Sequence, residues 1–226
     1  MTDQHIVFLV VIVLAVIALA WWWALYSLKK SREAWRAEAD RRGFSYEQDL
    51  ATTQSRHGQF KIFGLGHSQR VIAAISGRAS HGELTLVDYS YTTGSGRSRR
   101  EHRQTLCLLT SSELRLPHFF VRPQVVLVDL LGKVFGGQDI NFDEDPSFSK
   151  AFVLQGHDPE ATRQLFDQGL RSYFVHYRDR KLQVEGWEHT LLVHVGKHRK
   201  PGQTQDLEDA ALGLCNQLQG RKNSHE

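Results

Sequence analysis

The chain has 226 residues, with 28 Lys and Arg against 25 Asp and Glu and a formal net charge of +3. A balance so close to neutral argues against a dedicated nucleic-acid-binding protein, whose footprint is a strongly basic domain. Only Cys107 and Cys215 occur, with no close pair, so the sequence writes neither a disulfide scaffold nor a zinc motif.

The first 28 residues differ from the rest. From Ile6 to Leu28 there is no charged side chain, and between Ile6 and Ala20 twelve of fifteen residues are Ile, Val, Leu or Phe. A helix of that length covers about 35 Å, enough for a hydrocarbon core of about 30 Å. On an insertion scale those twelve side chains favour the membrane by about 4–7 kcal/mol. Trp21, Trp22, Trp23 and Tyr26 follow, then Lys29 and Lys30. Aromatic rings at headgroup depth with cations just beyond are how a spanning helix ends. Ala18-Leu19-Ala20 resembles a signal-peptidase site, but the leading MTDQH carries no Lys or Arg, whereas a signal peptide has a basic n-region. The expected arrangement is a single-pass protein of the inner (plasma) membrane, integral in the lipid bilayer. Lys29, Lys30, Arg32, Arg36, Arg41 and Arg42 follow the span and no Lys or Arg precedes it. The positive-inside rule therefore places the N-terminus outside and the soluble domain in the cytoplasm.

The segment Ser31 to Phe44 is rich in Ala, Glu and Arg and reads as a helical stalk ended by Gly43. Glu47 to His57 is polar and unpatterned and reads as a linker. Residues 29–122 hold sixteen Lys and Arg against nine Asp and Glu, whereas residues 123–226 hold twelve against fifteen. The basic half is the one nearer the membrane, as suits an anionic leaflet.

From Gly58 onward, QFKIF, RVIAAIS, ELTLVDYSYTT, REHRQTLCLLT and HFFVRP are short β-branched and aromatic runs separated by turns, and read as strands. Pro123 to Gly137 is ambiguous between a buried strand and a buried helix, and its proline start and Gly-Gly end favour the helix. SKAFVLQG reads as a strand. Asp158-Pro159-Glu160 then opens a helix with Leu165, Phe166, Gly169, Leu170, Tyr173 and Phe174 along one stripe. KLQVEG and HTLLVHVGK form a hairpin, and a last helix from Asp206 carries Leu207, Ala210, Ala211, Leu214 and Leu218 on one side.

The expected fold class is α+β: one N-terminal transmembrane helix followed by a soluble domain of antiparallel sheet with packed helices. The expected division is an anchor over residues 1–28, a juxtamembrane helix and linker over 29–57, a β-rich portion with a long hairpin over 58–146, and an α+β portion over 147–226.

The stretch DPSFSKAFVLQGHDPEATRQLFDQGL, with its Phe-rich lead-in, short strand, Asp-Pro-Glu-Ala helix start and amphipathic helix, resembles part of a bacterial family of unknown function. That family joins N-terminal membrane helices to a soluble α+β domain. The likeness covers the last 90 or so residues plus the membrane helix. It implies architecture and location, and brings no catalytic residues with it.

Candidate chemistry is sparse. Gly64-Leu-Gly66 and Gly94-Ser-Gly96 begin like dinucleotide fingerprints, but Gln69 and Arg99 stand where the third glycine belongs, and neither has a P-loop ending. Asp139, Asn141, Asp143 and Asp145 alternate like the start of a calcium loop. Glu144 and Lys150 occupy the positions where an EF-hand needs Gly and Glu, so a strand end around Ile140 and Phe142 is the simpler reading. His189 and His194, five apart on a strand, point to opposite faces and would not chelate one ion. No cofactor or metal is expected, and the sequence singles out no catalytic residue.

One segment stands out. Leu84–Thr93 and Arg100–Thr110 are polar near Gly94-Ser-Gly96 and apolar further away, the pattern of a long hairpin, with Tyr89 and Tyr91 on one face and set across from residues such as His102 and Gln104, depending on register. Arg97, Arg99, Arg100 and Arg103 would make its tip a positive prong for anionic lipid headgroups or a protein partner. The functional expectation is a binding or scaffolding module at the membrane surface. The rival reading is a membrane-tethered, hydrolase-like enzyme with a site assembled from scattered residues.

Overall fold

The computed structural model describes residues 3–125 and 139–219. The expected helix over Pro123 to Gly137 lies almost entirely outside them.

The first element is a single helix, α1, from Asp3 to Arg42. It is long and apolar enough to cross a membrane over its N-terminal part. The Ala-, Glu- and Arg-rich stalk continues it without a break. Gly43 ends it, with φ +67, the left-handed conformation that glycine reaches without a Cβ clash. The Phe44 amide reaches back to the Ala39 carbonyl at 2.8 Å.

Among the described residues eight antiparallel strands form one sheet: β1 (Ser45–Glu47), β2 (His67–Ala79), β3 (Gly82–Thr93), β4 (Arg100–Thr110), β5 (Leu116–Pro123), β6 (Phe152–Gly156), β7 (Gln183–Glu188) and β8 (Thr190–His194). Their order is β1-β2-β3-β4-β8-β7-β5-β6. Strands of the two expected portions therefore share one sheet: β4 pairs with β8, and β5 lies between β7 and β6. The fold is α+β, as expected.

The hairpin β3–β4 forms as expected, and its register, which the alternation left open, sets Tyr89 opposite Gln104 and Tyr91 opposite His102. Even-numbered residues Leu84, Leu86 and Asp88 point to one face and Val87, Tyr89 and Tyr91 to the other, so period-two alternation sorts them into two clusters. The first face carries the larger core. On it pack the end of α1 and four further helices: α3 (Pro146–Ala151), α4 (Pro159–Leu165), α5 (Gln168–His176) and α6 (Gln205–Gln219). Phe148, Phe152, Phe166 and Phe174 form its aromatic centre, with rings 5.4–6.3 Å apart. The second face is covered by a short helix, α2 (Leu50–His57), and a 3-10 turn over Lys61–Gly64.

Four local expectations are corrected. Glu47 to His57 is not a linker: Glu47 ends β1 and Asp49 caps α2 through Ala51 N and Thr52 N at 3.0 and 3.1 Å. QFKIF is a turn rather than a strand; it pushes Phe60, Ile62 and Phe63 into the second face, and a short apolar run carries no period that separates the two. The helix expected from Asp158 through Phe174 breaks at Phe166, because Asp167 supplies a second cap to Leu170 N at 2.9 Å. Ile140 and Phe142 are buried but not in a strand: the Ser149 hydroxyl takes both backbone groups of Phe142, and SKAFVLQG begins as helix α3.

The G-x-G pieces are turns. Gly66 sits at φ +61, where a Cβ would stand 2.1 Å from the Thr92 carbonyl oxygen. Gly66→Ala therefore combines left-handed strain with a backbone clash and is expected to cost about 2–3 kcal/mol, read as a lower urea midpoint with unchanged slope.

Candidate binding site at the junction of α1 and the sheet

Where α1 meets the sheet, its side chains turn from exposed to buried within three helical turns. Trp21, Trp22, Trp23 and Tyr26 are exposed, with Trp22 and Tyr26 stacked at 5.7 Å. Lys29 pairs with Glu33 at 3.9 Å, and Lys30 is exposed. Trp35 and Ala39, one turn apart, are fully buried in the main core.

The contact centres on Asp88 of β3, which is 0% exposed. Arg103 of β4 grips it with two bonds, Nε to Oδ1 at 2.9 Å and Nη2 to Oδ2 at 2.5 Å. From α1, the Trp35 indole N–H donates to Oδ2 at 3.1 Å, and Ser31 lies within reach of both Asp88 and Arg103. From the loop before α6, His198 Nε2 stands 3.5 Å from Oδ2, too long for a strong hydrogen bond. Burial alone would raise the Asp88 carboxyl, but hydrogen bonding and charge from Arg103 and His198 outweigh it and hold the group below its usual value.

A second clasp lies two turns further along. Arg42 bonds both Glu208 oxygens at 3.0 and 2.9 Å and Glu38 at 2.6 Å, and the Thr204 hydroxyl bonds Glu208 at 2.6 Å. The first and last helices of the domain are thus locked by a desolvated ion pair, with donor and acceptor valences largely filled.

On the N-terminal side of the Asp88 contact, α1 and the sheet border a groove of about 700 Å³. Trp23, Ala24 and Leu28 form its helix wall; Val71, Ile72 and Ser90 form the sheet side. Arg32, Arg70, Arg103 and Glu101 line its polar part, and Arg70 meets Glu101 at 3.5 Å. β1 pairs with β2 only through Ala74, Ile75 and Ser76. Among the described residues no strand covers the outer edge of β2 beside the groove.

The hairpin tip is built as a six-residue turn with a 3-10 step over Gly96–Ser98 and glycines at φ +68 and +55. Arg97, Arg99 and Arg100 are exposed there. Arg103 is not with them: it is 27% exposed and turned onto Asp88. Sequence pattern could not separate the four, because the partner of Arg103 comes from the opposite strand and its neighbour Trp35 from a helix far upstream.

On the second face, Glu185 of β7 accepts from the Lys61 amide at 3.0 and 3.2 Å and bonds His118 Nε2 at 2.7 Å, tying the 3-10 turn to the sheet. Lys61 Nζ sits 4.6 Å from the Phe120 ring centre. Burial lowers the Lys61 amine to about 7; Glu185 opposes this and Arg122 adds to it. Cys107 and Cys215 are buried free thiols, Cys215 raised to about 11 by burial, in keeping with small apolar roles in β4 and α6. In the acidic stretch, Asp139 bonds Gln155 and Asp145 caps α3 and pairs with Arg171. Among the described residues no three metal-ligating side chains converge.

Fold and junction together define an eight-stranded antiparallel α+β domain whose N-terminal apolar helix runs directly into its core. No family model and no curated protein matches the chain. A solved structure with a similar fold is the mycobacterial trehalose monomycolate transport factor A, TtfA, with a TM-score of 0.51 at 11% identity, over 85% of this chain and 93% of that one.

Proposed function

We propose that the chain is a single-pass membrane protein of the plasma membrane whose sheet domain lies in the cytoplasm and acts as a binding or scaffolding module at the membrane surface. The observation that carries this reading is the continuity of α1. One helix supplies both a charge-free segment of membrane-spanning length and the buried Trp35 and Ala39 of the domain core. A domain built onto its anchor in this way is held at a fixed distance from the bilayer. The exposed aromatic cluster Trp21 to Tyr26 followed by Lys29 and Lys30 supports an anchor that stays in place, and the cations after the span support the cytoplasmic orientation. A protein named as a mycobacterial transport factor has a similar fold.

In this reading Arg97, Arg99 and Arg100 reach anionic headgroups or an acidic partner, each basic contact near the surface contributing about 1 kcal/mol. Residues 29–226 are expected to float with vesicles containing anionic phospholipid and not with neutral ones, less so at high salt. Replacing the three tip arginines by serine should weaken flotation about a hundredfold. Unchanged flotation would remove the hairpin from the membrane contact. Alkaline carbonate extraction of the full chain, with protease accessibility of its C-terminus in spheroplasts and inverted vesicles, tests anchoring and orientation.

A further inference from the structure

The groove between α1 and β2 has a composition the scaffolding role does not require. Its helix wall carries Trp23, Ala24 and Leu28, which fall at the aromatic belt and just past it. In a spanning helix that is headgroup depth. Its sheet side carries buried Val71 and Ile72, and its polar part carries three arginines against one glutamate. Arg103 is committed to Asp88. Arg70 meets Glu101 at 3.5 Å with both side chains more than half exposed, a pair that gives little stability and is readily exchanged. Arg32 is exposed on α1, one turn beyond Leu28. A volume of about 700 Å³ is within the range of sites that enclose small organic ligands.

We propose that this groove binds one anionic phospholipid from the leaflet that α1 leaves: Arg32 and Arg70 take the phosphate, while Trp23, Leu28 and Ile72 flank the glycerol and the first part of an acyl chain. The proposal rests on the membrane-anchored reading above. Guanidinium groups match phosphate oxygens in a forked geometry that lysines do not offer. An apolar wall continuous with the span lets the acyl chain stay in the hydrocarbon layer while the headgroup enters the protein. The ligand need not leave the bilayer, so the groove can be open on that side without loss of the hydrophobic contribution.

The test uses the full chain, purified in mild detergent after exposure to an equimolar mixture of neutral and anionic phospholipids, with retained lipid read by native mass spectrometry. The wild type is expected to retain one anionic phospholipid in preference to the neutral one. R32S/R70S should lose that preference by about tenfold or more while keeping its thermal midpoint. R97S/R99S/R100S should keep the preference. Equal retention of both lipids by the wild type, or an undiminished preference in R32S/R70S, overturns the groove assignment. Inorganic phosphate that displaces the lipid at low millimolar concentration, or shifts the midpoint as much, reassigns the groove to a free anion and overturns the lipid assignment. Carbonate extraction separates the two levels: a chain that stays in the membrane without lipid preference sinks only the groove, whereas a chain released by carbonate sinks the anchored reading as well.

Discussion

A chain that begins at residue 29 is expected to fold cooperatively, and a chain that begins at residue 44 is expected not to. The second lacks the end of α1, so it exposes the sheet surface that Trp35 and Ala39 cover. Loss of a buried Trp alone costs about 3–5 kcal/mol. Asp88 also loses its indole and hydroxyl partners, and Glu208 loses Arg42, leaving buried carboxylates short of compensation. Domain stability is about 5–15 kcal/mol, so the sum removes most or all of it. Urea unfolding followed by circular dichroism reads the difference. Equal midpoints for the two fragments would reduce α1 to a tether and remove the support for a rigidly held domain.

The second large effect concerns the Asp88–Arg103 pair. Arg103→Ala leaves a fully buried carboxylate with one indole and two weak contacts, and should cost about 3–5 kcal/mol. Replacing both residues by apolar ones of similar volume, D88L/R103M, should recover much of the loss, because no charge is then left buried alone. The discriminating measurement is the double-mutant cycle: additive penalties would mean that the two side chains act independently. The pH dependence follows from the same geometry. Asp88 has a folded value below its unfolded one near 4. Its contribution to stability is therefore present above about pH 4 and is lost as pH falls through the folded value. D88L/R103M should show a flatter acid limb than the wild type.

Much of the frame was legible. The mirror pattern around Gly94-Ser-Gly96 pointed to a hairpin and put Tyr89 and Tyr91 opposite the His102–Gln104 stretch, while the register itself had to come from the folded sheet. The last helix was equally clear, since Leu207, Ala210, Ala211, Leu214 and Leu218 lie on one side and are all buried. The losses have a common cause. Asp49 in front of α2 and Asp167 between α4 and α5 were visible as residues, but a capping side chain shows its choice of amide only when the chain is folded. The 3-10 turn at Lys61 resembled a strand because aromatic and β-branched residues suit any buried short segment. The junction itself was not legible at all. Trp35 looked like one more residue of a charged stalk, and its partner lies 53 positions away; no local spacing encodes that meeting.

The unbroken passage of α1 into the core has one more consequence, for azimuth. A helix turns about 100° and advances 1.5 Å per residue. In the membrane-anchored reading proposed above, the number of residues between the Trp21–Tyr26 cluster and Trp35 therefore sets which side of the domain looks along the membrane plane, as a key fixes a wheel on its shaft. One alanine inserted at residue 30 would leave belt, clasp and sheet chemically intact yet swivel the domain by about 100° relative to the belt, separating the two walls of the groove. Seven inserted residues would restore the heading to within about 20° while lifting the domain by about 10 Å. Heading and height are separate settings on the same helix, and a series of insertions from one to seven residues would show which of them the protein's role depends on.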